Sequence, residues 1–141
     1  MPAITRKEAR EQALFLLFET EYHADKEPEN IYALAVEDRD FAEDEYIRDV
    51  YFGVLAKKKG IDERISRLSH GWSIGRIAPV TRNILRLAIY EMSERKDVPY
   101  RVAINEAIEL VKKFDDEKAR AFVNGILNGA KDELTAERNL K

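Results

Sequence analysis

Cysteine is absent from the sequence, which excludes a disulfide scaffold and any thiolate metal site or cysteine nucleophile. Proline and glycine are sparse, at 4 and 6 residues in a chain of 141, so little interrupts regular structure. The 2 histidines, His23 and His70, lie far apart and lack an H-x₃-H or H-E-x-x-H partner, which argues against zinc catalysis. No G-x-G-x-x-G or Walker-type loop is present to cradle a nucleotide phosphate, and no serine sits in a G-x-S-x-G turn. No apolar run approaches the roughly 18 residues needed to span a bilayer. "MPAITRKEAR" has no apolar core of a secretory signal. These gaps point to a soluble, cytoplasmic, non-catalytic protein with no cofactor and no metal.

What is present suits a helical domain. Apolar residues make up 45% of the chain and charged residues 36%, the balance of a core wrapped in solvated faces. At this length a single domain spanning residues 1–141 can bury its own core. The net charge of −3 is unevenly spread. Residues 23–50 carry three basic and ten acidic groups, whereas the chain beyond residue 50 is net +5. Fields between charges more than about 8–10 Å apart are screened at cellular salt, so a net-acidic protein can still bind an anion locally.

Every strong periodicity is helical. "TRKEAREQALFLLFETEY" opens with Thr5 and Glu8 in capping-box spacing and carries a broad stripe from Ala9 to Phe18. "PENIYALAVEDRD" enters at Pro28 with Ile31, Leu34 and Ala35 inward. "EDEYIRDVYFGVLAKKKG" reads as a helix ended by Gly60, with acids first and lysines last to match the dipole. "DERISRLSHG" repeats the pattern, with Asp62 as cap and Gly71 as terminator. Pro79 starts the next helix in the position proline tolerates best, and another follows Pro99. The last, "DEKARAFVNGILNGAKDEL", is capped by Asp115 or Asp116. The expectation is an all-α bundle of about seven helices. Within the last helix, Gly125 reads as a close-packing position and Gly129 as a site of fraying.

Two basic groups stand out. From Ile74 to Tyr90 the chain holds Arg76, Arg82 and Arg86 and no carboxylate. Arg82 and Arg86 are i, i+4 neighbours on one stripe. Near the start, Arg6, Lys7 and Arg10 cluster, again with an i, i+4 pair. Each arginine has a plain alternative, an ion pair with a carboxylate on a neighbouring helix. Together they suggest a cationic track for a flexible polyanion, with Phe18, Phe114 or Phe122 as possible stacking surfaces.

"ILRLAIYEM", "DVPYRVAINEAIELVKKF" and "FVNGIL", with "TRKEAREQALFLLFE" at the start, resemble the NusB family of bacterial transcription antitermination factors. The resemblance runs along essentially the whole chain and is weakest over residues 23–60. It implies a non-catalytic, all-helical protein that binds boxA RNA of nascent ribosomal RNA transcripts. The family does so with a small-subunit ribosomal protein acting as NusE, within an antitermination complex on RNA polymerase. Carried over by position, it implies RNA contacts at Arg6, Lys7, Arg10, Asn83, Arg86, Lys118 and Phe122. It implies contacts to the protein partner at Phe18, Tyr22, Arg76, Ala78, Thr81 and Arg82. Two positions depart from the family pattern: Thr81 stands where an acid is usual, and Asp115 where glycine is frequent. The main rival is a protein-docking module with no nucleic acid. A second is the RNA-binding domain attached to certain ribosomal RNA cytosine methyltransferases, against which the stand-alone reading is preferred because these 141 residues hold no cofactor-binding α/β domain. A homodimer stays open.

Overall fold

The computed structural model describes residues 4–140. Six α-helices follow one another: α1 (Arg6–Tyr22), α2 (Pro28–Asp38), α3 (Glu45–Leu68), α4 (Pro79–Glu94), α5 (Tyr100–Phe114) and α6 (Lys118–Asn139). A short 3-10 turn, Ile74–Arg76, precedes α4. Among the described residues there is no strand, and no helix is long and apolar enough to cross a membrane. Contacts divide the chain into two compact units, Met1–Ala56 and Lys57–Lys141.

The helix count falls one short of expectation because α3 runs straight through Gly60. A glycine in a helix costs about 1 kcal/mol relative to alanine. Burying Ile61 and Ile65, which are 6% and 0% exposed, is worth about 1.5–3 kcal/mol each and outweighs that cost. Lys57, Lys58 and Lys59 are therefore mid-helix residues, and Asp62 is not a cap. The real stop comes after Leu68, where His70 and Gly71 take positive φ values of 55° and 94°. Asp44 caps the start of α3, accepting from the backbone N–H groups of Tyr46 and Ile47 at 2.9 and 3.2 Å.

In the first unit α1 packs against α2. The Thr5–Glu8 capping box forms at the start of α1, with Glu8 N–H donating to Thr5 Oγ1 at 3.0 Å. The core gathers Ala13, Leu14, Leu16 and Leu17 from α1, Ile31 and Ala35 from α2, and Ile47, Val50 and Tyr51 from α3. Leu34, expected inward, is 52% exposed, and Tyr32 takes the buried place. The Tyr51 hydroxyl bonds with the Thr20 hydroxyl and reaches the Pro28 carbonyl at 3.3 Å, joining all three helices.

In the second unit α4, α5 and α6 pack against one another. Positions 83 to 92 of α4 are all buried. Apolar residues fill most of them, but Asn83, Arg86 and Glu91 are drawn in as well. A helix enclosed on every side must pair its polar groups internally, since an isolated buried charge is prohibitively costly. In α6 the close-packing glycine is Gly129 rather than Gly125, and the helix continues through both. A Cβ on Gly125 would meet nothing within 4 Å, whereas one on Gly129 would lie 2.9 Å from Leu68 Cδ2. Gly129 is thus where the end of α3 closes onto α6.

Candidate nucleic-acid interface

At the start of α1, Arg6 and Lys7 are exposed. The i, i+4 spacing brings both Arg6 and Arg10 to the ring of buried Tyr46, with guanidinium carbons 4.4 and 5.8 Å from its centroid. Cation–π attraction to the ring holds these side chains in place. Arg10 is only 5% exposed, so Arg6 and Lys7 carry the accessible charge. Further along the same helix Phe15, Phe18 and Tyr22 are 40%, 38% and 78% exposed. Their i, i+3, i+7 spacing places them on one side of α1. Phe18 and Tyr22 are the positions the resemblance implies; Phe15 joins them, and its helical spacing to both is the signal for it.

The arginines of α4 depart from expectation. Arg86 is 5% exposed, and its guanidinium makes a two-point contact with Asp62, Nε to Oδ1 at 2.8 Å and Nη2 to Oδ2 at 2.9 Å. Nη1 donates to Asn83 Oδ1 at 3.2 Å. Asn83, 1% exposed, donates from Nδ2 to the Pro79 carbonyl at 2.9 Å. This chain ties α3 through α4 to the first turn of α4. The planar fork of arginine matches a carboxylate in this way, so the charge expected to meet phosphate is neutralised internally. Arg86 and Asn83 are framework residues here, which corrects their expected place on an RNA surface.

Arg82, on the adjoining stripe, donates from Nη1 to the Ile77 carbonyl at 2.7 Å. Burial, with the nearby Arg86 charge, pushes its pKa below the ordinary arginine value. It still remains a cation at any physiological pH. Arg76 and Ala78 are exposed. Thr81, by contrast, is 4% exposed, and its hydroxyl donates to the Asp115 carboxylate. The two residues that depart from the family pattern therefore meet each other, and Thr81 is corrected from a surface contact to an internal one.

On α6 Lys118 is exposed and Phe122 half-buried. The Asp116 carboxylate accepts from Lys118 N–H at 3.0 Å, as expected of the acid opening this helix. Trp72, 53% exposed, lies against Phe122 with ring centroids 6.3 Å apart. Trp72 lies in a connection rather than on a periodic face, so helical spacing gives no signal for it. Among the described residues no cluster of histidine and carboxylate side chains could hold a metal ion.

Residues 7–132 match the family model described as "NusB family". The chain is 44% identical over 128 residues to the transcription antitermination protein NusB of Acetivibrio thermocellus, covering 86% of this chain and 85% of that protein. It is 41% identical to NusB of Bacillus pumilus, covering 92% and 96%. The structure resembles NusB of T. maritima with a TM-score of 0.85, 35% identity and 94% of each chain covered. It also resembles a chain in the crystal structure of antitermination factors NusB and NusE in complex with dsRNA. There the TM-score is 0.76 at 29% identity, covering 91% of this chain and 96% of that one.

Proposed function

The chain belongs to the NusB family, and on that premise we propose that it is a cytoplasmic transcription antitermination factor. Acting as one domain over residues 1–141, it binds boxA RNA of nascent ribosomal RNA transcripts together with the ribosomal protein NusE. The pair joins the antitermination complex on RNA polymerase, and the protein itself catalyses nothing. One observation carries this reading: the likeness, over 91% of the chain, to a protein solved with NusE and double-stranded RNA.

On this reading the exposed Arg6 and Lys7, with Lys118 and Phe122, touch RNA, and Arg10 supports them from its place over Tyr46. Arg86 and Asn83 act indirectly by holding α4 in position. The aromatic side of α1, Phe18 and Tyr22 joined by Phe15, supplies an apolar surface for NusE. Arg76, Ala78 and Arg82 supply contacts from the second unit. Exposed aromatics in a row suit a protein partner, and a second copy of this chain is the alternative occupant when NusE is missing.

Binding of boxA and scrambled RNA, each with and without NusE, tests the reading. The expected result is a preference for boxA that NusE strengthens, because two linked surfaces raise the effective concentration of each contact. Binding to NusE with equal affinity for both RNAs would favour the protein-docking module instead.

A further inference from the structure

The connection between α3 and α4 places the chain's sole tryptophan on its surface. Three contacts define its place in the fold. Leu68 closes onto Gly129 of α6, a contact that a Cβ at residue 129 would crowd. The chain then turns through His70 and Gly71 in the left-handed region, where Ser69 Oγ donates to the Trp72 carbonyl at 2.7 Å. Trp72 next comes to rest against Phe122. Phe122 and Gly129 are seven residues apart, so they share one side of α6 about 10 Å apart along its axis. From Leu68 the connection therefore runs back along α6 towards its N-terminus. Lys118 lies one further turn in that direction, four residues before Phe122.

The indole makes a tilted contact with Phe122 and is otherwise about half accessible. Its centroid is 6.3 Å from that of Phe122 with the rings tilted by 56°, and 53% of the residue is accessible. A half-accessible tryptophan resting against another ring is costly to leave to solvent and offers a π surface for stacking. Every nucleobase presents a flat π face, and stacking on an aromatic side chain is tolerant of base identity. Lys118 and Arg76 are exposed cations of the same unit, available to the phosphates of a bound strand.

We propose that Trp72 is a stacking platform for one unpaired base of the bound RNA, buttressed by Phe122 and flanked by the Lys118 cation. The proposal rests on the RNA-binding reading above and adds a base-recognition residue to it.

The test uses the full-length protein and single-stranded boxA RNA. Because the chain has one tryptophan, its fluorescence reports on this position alone. RNA is expected to quench it and to shield it from acrylamide. Trp72→Ala should weaken binding about tenfold, within the range of a lost stacking contact, while leaving the salt dependence of affinity unchanged. Trp72→Phe should recover most of the loss. Lys118→Ala should instead flatten the slope of log affinity against log salt by about 0.7. The wild-type quench needs no variant, so an unstable substitution does not undermine the test. Tight boxA binding with no change in fluorescence and full affinity in Trp72→Ala overturns the platform and leaves the RNA-binding function intact. Quenching by NusE alone, with no further response to RNA, overturns it too and assigns the tryptophan to the protein interface. No binding of boxA by the wild type removes both.

Discussion

Arg86 and Asp62 form a largely buried ion pair in the second unit. The Nε–Nη2 edge of the guanidinium is matched by the Asp62 carboxylate, Nη1 donates to Asn83, and the arginine is almost completely enclosed. Removing one partner leaves a carboxylate without its counter-charge in a poorly solvated place. Arg86→Ala is expected to lose about 3 kcal/mol, measured by urea unfolding, and Arg86→Lys should rescue little because an ammonium cannot span both oxygens. Neither variant should alter the salt slope of RNA binding, which separates an internal role from a phosphate contact. Glu133 offers a pH-dependent counterpart. A hydrogen bond from Arg67 holds its pKa below the usual 4.5, and the charges of Arg67 and Arg64 add to this. A depressed folded value stabilises the protein above pH 4.5, and that stability is lost as pH falls through the folded pKa. Glu133→Gln should flatten the fall of melting temperature with acidification, by a small amount because Arg67 is largely exposed.

Among the elements, α3 carries the clearest contrast. Gly60 sits inside a continuous helix with open space around it, so Gly60→Ala should raise stability by about 1 kcal/mol. Gly129→Ala makes the same change of propensity on α6, but its Cβ would press on Leu68. Leu68 must turn aside, and the gain should vanish. Paired thermal melts of the two variants check both statements. A larger gain at 129 than at 60 would show that the close approach of α3 to α6 is loose. In the first unit Tyr51 joins three helices through its hydroxyl, and burial pushes its pKa above 10.0. The stability associated with it is complete below that value and declines as pH rises through the folded pKa. An ultraviolet titration should show a late-ionising component that Tyr51→Phe removes.

At the scale of the whole molecule, the charge distribution decides how affinity responds to salt. The chain is net −3, so RNA binding depends on local cations rather than on overall attraction. Arg6→Ala and Lys7→Ala are each expected to flatten the log affinity versus log salt slope by about 0.7. Slopes identical to wild type would remove the start of α1 from the RNA surface.

Much of this was written in the chain. Periodic apolar residues announced the helices, Thr5 and Glu8 announced the cap of α1, and Pro79 marked the first turn of α4. Such signals are local, because a helix records in its own spacing which side is apolar. The exposed arginine and lysine of α1 were legible for the same reason. What spacing does not record is how many sides of a helix other elements will cover. Only the tertiary structure decided that α4 is enclosed, that Arg86 meets a carboxylate 24 residues away, and that Gly60 is passed over while Gly129 is closed upon. Those outcomes depend on which distant side chains arrive, and burial then forces each polar group to take the partner that came with them.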